Sequence, residues 1–324
     1  MRRVLLITGV LVIILVLGVL IGIALGPVKI SLHELVSALL MRGDSTAHIL
    51  VWDLRMPRVA AALLVGACLG VAGCLLQSST RNPLGDPQVF GLGGGAAVVQ
   101  ALAMAGLLSV GTWGLLALSV LASLIGAGAI ALFASRQGLS PARLAIIGVS
   151  LAALAAAAAT GILAGARVFS QQSLNFVGGS FINRGWQDVL PALPFLGIGI
   201  LLAIPVIGNL NVLALGDRIA DNLGAEPRRT RVIAIASSGI LGGTAVAVAG
   251  LVGFVGLLVP HLARLLVGRD MRAIFIVSIP LGAAVTLFAD QAARLAFMPS
   301  EVPAGLITAL VGAPLMIYVA RRVL

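Results

Sequence analysis

An all-α fold assembled inside a lipid bilayer is predicted for this 324-residue chain by three observations. Hydrophobic residues make up 60% of it and charged residues 10%, too few to cover a water-soluble globule of that size. Ten apolar stretches joined by short loops fill nearly the whole length. Most of them approach the roughly 20 residues that a helix needs to cross a hydrocarbon core about 30 Å thick.

The first stretch, Val4–Leu25, follows Met1-Arg2-Arg3 and looks at first like a secretory signal. Its apolar run is too long for that and no convincing small-residue cleavage site follows, so it reads as a span. Leu54-Arg55-Met56-Pro57-Arg58 introduces the second, Val59–Leu76. Arg81-Asn82-Pro83-Leu84-Gly85-Asp86-Pro87 separates this from Val89–Leu108; two prolines and Asn82 oppose helix there and set a rigid turn. Trp113–Ala134 is the fourth and Leu144–Gly165 the fifth. From Gly148 onward the fifth carries few large side chains, being mostly alanine with Ser150, Thr160 and Gly161. Such a helix either packs tightly on all sides or lines a wide, weakly polar cavity, and the polar run Gln171-Gln172-Ser173 beyond it favours the cavity wall.

Val189–Ile207 is the sixth stretch. After it, Leu215–Gly224 reads as a short amphipathic helix, with Asp217 as its N-cap and Gly224 as its stop. Val232–Val252 and Phe254–Val267 almost touch, and the boundary of the second is the less distinct. Around it, Gly253, Gly256 and Pro260, followed by His261, interrupt an apolar run in mid-membrane. That is tolerated only where protein or water satisfies the freed backbone. Ala273–Phe297 and Gly305–Ala320 complete one transmembrane domain over 1–324. Glycines four apart (Gly18/Gly22/Gly26, Gly66/Gly70, Gly161/Gly165, Gly239/Gly243) supply the flat ridges by which helices approach closely in lipid.

The net charge of +10 could suggest nucleic acid, but basic loops that orient helices explain it better. With the amino terminus placed in the cytoplasm, fourteen Lys and Arg fall on that side of the spans and seven on the other. This bias puts both termini inside and makes the number of spans even. Cys68 and Cys74 share one span, and no ligand spacing joins them to His33, His48 or His261, so no metal site is expected. No Walker loop occurs, and the single lysine, Lys29, lies on the outer side. The chain therefore has no ATPase site of that kind, and no span holds a Ser/His or paired-Asp set for hydrolysis. Asp290 is the deepest carboxylate, one turn before Arg294 with which it can pair, and it alone could serve a proton-coupled carrier. Under that rival, an Asp290→Asn variant stops transport. Without it, energy must come from a separate protein.

Three of these segments, in order and in register, resemble the FecCD-type permeases of bacterial ATP-binding cassette (ABC) importers, which carry iron complexes or vitamin B12. The family patterns are R-x-P-R before the second span, N-P-L-A-[DE]-P after it and G-F-[IV]-G-L-x-x-P-H near the eighth. Here they stand as Arg55 to Arg58, Asn82 to Pro87 and Gly253 to His261. The resemblance covers essentially the whole chain. It implies a BtuC-like (type II ABC importer) permease fold with ten transmembrane helices per subunit in the bacterial inner membrane. It also implies a second permease subunit, identical or a close paralogue, and two cytoplasmic ATPase subunits that hold the ATP and Mg. A periplasmic or lipid-anchored binding protein completes the set, and this chain itself holds no cofactor. The cargo implied is a ferric siderophore or haem, with cobalamin as the alternative.

Residue by residue, the resemblance makes Arg55, Arg58 and Arg294 the docking points for the binding protein. It makes Gly216, Asp217, Arg218, Ile219, Ala220, Asp221, Asn222, Leu223 and Gly224 the coupling helix seated in the ATPase. Asn82, Leu84, Ser140 and Pro141 become gates, with Ser150 and Thr160 along the pathway, while Pro83, Pro87, Gly253, Gly256, Pro260 and His261 are structural. Arg228, Arg229 and Arg231 read as a solvated or headgroup-facing cluster. Three departures stand out. Relatives often carry a hydroxyl residue where Pro141 stands, and W-x-x-G-S where this chain has Phe176-Val177-Gly178-Gly179-Ser180. Gln171 replaces an arginine that haem importers have before that tryptophan, with Arg167 the nearest cation, which loosens a grip on haem propionates.

Overall fold

A computed structural model describes residues 2–41, 45–134, 141–166, 170–296, 298 and 300–323. The described residues are helical almost throughout. Helices α1 (Arg2–Ala24), α2 (Leu32–Leu39) and α3 (Ser45–His48) lead through a π-helical turn, Ile49–Arg55, into α4 (Met56–Thr80). Next come α5 (Gly94–Met104), α6 (Thr112–Ala134), α7 (Pro141–Gly165), α8 (Ser170–Gly178) and α9 (Trp186–Val189). Helix α10 (Ala192–Ala203) continues through a 3₁₀ turn, Ile204–Val206, into α11 (Ile207–Leu213), and α12 (Asp217–Asn222) follows. The chain ends with α13 (Pro227–Ala249), α14 (Val255–Val267), α15 (Met271–Leu295) and α16 (Ala304–Val323).

Each of the ten apolar stretches overlaps a helix or a continuous helical run, the third only over Gly94–Met104. Among the described residues seven are long and apolar enough to cross a membrane. The other three, Gly94–Met104, Val255–Val267 and Ala304–Ile317, are shorter apolar helices. Arg42, Arg136, Ser140, Arg167 and Phe297 lie outside the described residues.

Helix α4 is the central post. The most apolar window of the run containing it is 89% buried, against 11% for α1 at the rim. It packs on α13, α14 and α15. Small residues explain why it can. A methyl group at Gly66 would collide with the backbone of Gly282 on α15, and one at Gly73 with that of Gly256 on α14. One at Gly70 would lie 2.5 Å from the Ser278 carbonyl oxygen. Gly239 and Gly243 receive Ala127 and Ser123 of α6 in the same way. The α4 contacts reach backbone and those at Gly239 and Gly243 reach small side chains, close approaches of the kind that drive association in lipid. The ridge on α7 differs, since Gly161 and Gly165 have open space beside them.

The predicted interruption of the eighth stretch is real but lies earlier than expected. Only Gly250 to Phe254 leave the helix, with positive φ at Gly250 and Phe254, and both Gly256 and Pro260 sit inside α14. The freed backbone is satisfied by protein. Leu251 N donates to Phe176 O (2.9 Å), Ser180 N donates to Ala249 O (2.8 Å), and Thr308 Oγ1 donates to Gly253 O (2.9 Å). Pro260 does not break α14 because Gln77 on α4 compensates for its missing amide. The Gln77 side-chain amide donates to Gly256 O, the carbonyl Pro260 leaves free, and to Leu257 O, both at 3.3 Å. Arg264 Nη1 holds that glutamine in turn, at 2.8 Å from its Oε1.

Candidate functional site

Three regions collect the expected functional residues: a cleft at the end where α1 stops and α4 begins, an open wall along α7, and a knot of charges at the opposite end of α4. The cleft has a volume of about 730 Å³ and is lined by Asp53, Arg55, Arg58, Gln171, Arg294 and Glu301 among others. Its arginines are held for distinct reasons. Arg55 Nη1 donates to Ile23 O (2.5 Å) and Ala24 O (2.8 Å), and its Nη2 to Val28 O. These are the last carbonyls of α1 and the turn beyond it, where a cation relieves unpaired acceptors and the negative end of the helix dipole. Arg294 Nη2 donates to Gly22 O (2.9 Å), and Gln291 Nε2 to Gly18 O (2.6 Å). Arg58 clasps both oxygens of Asp290, through Nη2 at 2.8 Å and Nε at 2.9 Å, and reaches Glu301 at 2.8 Å.

Two expectations change here. Arg55 and Arg294 are 4% and 3% exposed, so their guanidinium groups bind α1 rather than project toward an external partner. Of the three docking candidates only Arg58 keeps a partly accessible side chain, and it already carries two carboxylates. Asp290 pairs with Arg58 and not with Arg294, because the Arg294 head reaches across to the Gly22 carbonyl instead.

The wall is α7. It leans on the α4–α5 connection and α5 through close contacts, a methyl at Gly94 falling 2.6 Å from Ala155 Cβ and one at Gly148 falling 2.8 Å from the Phe90 ring. Its other side is bare. Ser150 and Thr160 are exposed, and each returns its hydroxyl to its own helix, at 2.8 Å from Ile146 O and Ala156 O. Among the described residues, tight packing on every side is therefore excluded, and the exposed side is mostly alanine with Ser150 and Thr160, from which Ile146, Val149 and Leu154 also project. Of the gate candidates, Asn82 Oδ1 accepts from Leu84 N at 2.9 Å, a local turn that leaves Leu84 exposed. Pro141 is the first residue of α7.

Beside that turn two motifs meet. Asp86, 1% exposed, accepts from Gln88 N (2.8 Å) and Val89 N (3.2 Å) through Oδ1. Its Oδ2 points at the first turn of α14: a methyl at Gly256 would lie 3.1 Å from it and 2.5 Å from Pro87 Cδ. The Leu257 amide faces this oxygen without closing a hydrogen bond. Helix α14 has no side-chain cap of its own, so a carboxylate from another segment stands at its positive end. Burial nevertheless pushes the Asp86 carboxyl up to about 6, the amides of Val89 and Gln88 opposing it.

The charge knot ties three helices. Asp217 accepts from Arg231 Nη1 (2.8 Å) and Nη2 (2.6 Å) and from Arg81 Nη2 (3.0 Å), while Arg231 Nε donates to Ser79 O at 3.1 Å. Helix α12 is thereby fastened to the start of α13 and the end of α4. The Arg231 guanidinium, aided by Arg81, holds the Asp217 carboxyl below the usual carboxylate range. Arg231 is buried, which corrects its assignment to a solvated cluster; Arg228 and Arg229 are exposed. The N-cap also moves by one residue, from Asp217 to Gly216 at φ +109°, because the carboxylate is engaged by the arginines. Gly224 ends the helix at φ +74°, with Gly224 N donating to Asp221 O and Ala225 N to Ala220 O, both 2.9 Å. Ala220 faces inward while Leu215, Ile219 and Leu223 are half or more exposed, so the apolar side of this element looks out.

Sequence reasoning missed Gln77, Arg231 and Asp86 as organising residues. Gln77 did carry a signal, being the strongly polar side chain that directly follows the second apolar stretch.

Comparison with known proteins adds the following. The profile of the FecCD transport family matches residues 14–322. The iron(3+)-hydroxamate import system permease protein FhuB of Bacillus subtilis is 37% identical, over 95% of this chain and 81% of its own length. The vitamin B12 import system permease protein BtuC of Yersinia enterocolitica is 35% identical, over 97% and 92%. A solved inward-facing structure of a metal-chelate type ABC transporter superposes with a TM-score of 0.83 at 28% identity, covering 98% of this chain and 99% of that one.

Proposed function

Since the chain belongs to the FecCD transport family, we propose that it is the membrane-spanning permease subunit of an ABC importer, moving an iron chelate inward across the bacterial inner membrane. One observation carries this: α12 turns Leu215, Ile219 and Leu223 outward while Asp217 fastens it to α4 and α13. An exposed apolar face on a firmly tied short helix suits a handle gripped by another protein. Two ATPase subunits supply that grip, with ATP and Mg held on them. Their closure on nucleotide pulls α12, and Arg231 passes the displacement to the Ser79 carbonyl and so to α4, which runs to Arg58 at the other end of the chain's core. A packed helix that moves as one body transmits such a shift.

The architecture then comprises ten spans in one domain over 1–324, with both termini in the cytoplasm and the cleft outside. A binding protein delivers cargo at that cleft, using Arg58 and the rim. A second permease subunit faces α7, so Ser150 and Thr160 line a shared path that Asn82 and Leu84, with the residues opening α7, close on the inside. A wall of mostly small, weakly polar and apolar side chains suits a bulky chelate and leaves selectivity to the binding protein. The cargo class is a ferric siderophore or haem; cobalamin is the second reading, favoured by the 35% identity to a vitamin B12 permease.

Reconstitution tests this directly. Proteoliposomes holding the permease with its ATPase, loaded with ATP and given binding protein outside, accumulate radiolabelled ferric chelate. Permease alone, under a proton or sodium gradient, accumulates none. Uptake by the lone permease sinks the proposal.

A further inference from the structure

Helix α2 belongs to no transport element described so far, and its surface divides into three arcs. Leu35 and Ala38 are buried against the protein. His33 and Glu34 are exposed and polar, and Glu34 closes a capping box by accepting from Ser31 N (2.7 Å) and Ser31 Oγ (2.6 Å). The third arc is apolar and uncovered: Leu32, Val36 and Leu40 are 77%, 47% and 61% exposed. At four-residue spacing they form one stripe about 12 Å long. A helix in water has no use for the third arc, and a helix crossing a membrane none for the second.

Connectivity fixes the depth of α2. Membrane-length helices precede and follow it, Arg2–Ala24 before and Thr46–Thr80 after, so it lies where the chain turns at the bilayer edge. Tryptophan marks the same level. Trp52 donates its indole N–H to Ala38 O at the end of α2 (3.0 Å), and Trp186 donates to Trp52 O (2.8 Å). Trp113, 60% exposed, opens α6 at the same side by chain alternation. The chain has three tryptophans, so all of them fall on this one side, and indoles concentrate at headgroup depth.

From this geometry we infer that α2 lies flat in the outer interface, with the Leu32/Val36/Leu40 stripe sunk among lipid acyl chains and His33 and Glu34 in water. The occupant is a lipid surface rather than a protein, because polar and apolar arcs adjoin along the helix as an interface demands. Charge contributes little, since Lys29, His33 and Glu34 are of mixed sign, so zwitterionic lipid suffices. Because α2 leads into the turn that ends at Arg55, this float sets the height of the outer mouth against the bilayer. The inference rests on the membrane embedding and not on the identity of the cargo.

Spin labelling tests it in the full permease assembly, in phosphatidylcholine nanodiscs. Single cysteines replace Leu32, His33, Glu34, Val36 and Leu40 in turn, with Ile13→Cys on the exposed side of α1 as the acyl-chain reference. Native Cys68 and Cys74 are fully buried and do not compete for label. Labels at 32, 36 and 40 are expected to favour collisions with oxygen over a water-soluble nickel chelate, as at 13, and labels at 33 and 34 the reverse. Equal nickel access at all five α2 positions overturns the proposal. So does protection of 32, 36 and 40 from both reagents, which would place a protein there; uncovering them by omitting the binding protein would identify it.

Discussion

At Asp217 a single carboxylate receives two arginines, one from α13 and one from the residue that caps α4, and its chemistry sets the pH behaviour of that end of α4. Its carboxyl is depressed by Arg231 first, so the stabilisation is present above the ordinary carboxylate range and is lost as pH falls through the depressed value. Arg231→Ala removes the clasp and leaves Ser79 O without its donor. Charge-assisted bonds contribute about 1.5–3 kcal/mol when buried, and Asp217 is half-exposed, so a loss of about 1–2 kcal/mol is expected. Thermal unfolding in detergent reads that loss, and the ratio of ATP hydrolysed to chelate moved should rise. Asp86 behaves in the opposite sense. Its carboxyl is raised to about 6 by burial, so the fold gains stability as pH falls from 6 toward the unfolded value and loses it on the way back up. Asp86→Asn keeps the acceptor for Gln88 N and Val89 N and removes the charge. Its unfolding midpoint should therefore lose that pH dependence between about 6 and 4; a slope unchanged from the parent would contradict this account.

Helix α14 shows what a sequence can and cannot declare about an element. Gly253, Gly256 and Pro260 announced a disturbed helix, and the disturbance is there. Its place was hidden because Gln77, which repairs the backbone at Pro260, lies 179 residues from Gly256. Gln77→Leu should destabilise by about 1–3 kcal/mol by leaving a buried carbonyl unpaired. Adding Pro260→Ala restores an amide inside α14, so the double variant should recover part of the loss in the same unfolding assay. Additive losses would mean that the glutamine has another role. Glycine ridges make a sharper contrast between elements. Gly66→Ala drives a methyl into the Gly282 backbone and should abolish the folded permease, whereas Gly161→Ala meets nothing among the described residues and should leave the midpoint unchanged. Both glycines look alike in sequence, where only spacing is visible. Helix α2 was not foreseen, because at eight residues it is too short to register beside the longer apolar runs, although Ser31 and Glu34 form a capping box at its start.

Across the whole molecule, ten apolar stretches were readable because hydrocarbon demands them, and for the same reason their arrangement was not. A helix facing lipid and a helix facing protein are both apolar enough to span, so apolarity alone did not separate α4 at the centre from α1 at the rim, although α1 carries more large aliphatic side chains and α4 more alanine. Arg55, Arg58 and Arg294 in the cleft show the limit most clearly: they were legible as cations on one side of the spans, and their division between α1 carbonyls and Asp290 was not. Asp290→Asn leaves Arg58 its bond to Glu301 and should only reduce ATP-driven uptake, while a proton relay at that position would make uptake cease. The fastening of α1 also has a consequence for biogenesis. Arg55 reaches it early, but Gln291, which binds its middle, comes 273 residues after Gly18. At 5–20 residues per second the ribosome takes roughly 14–55 s to cover that interval. For that long the face of the first helix that carries Gly18 sits in the bilayer unclaimed, so nascent chains stalled before residue 291 should leave that face open to quality-control factors that the finished protein keeps off it.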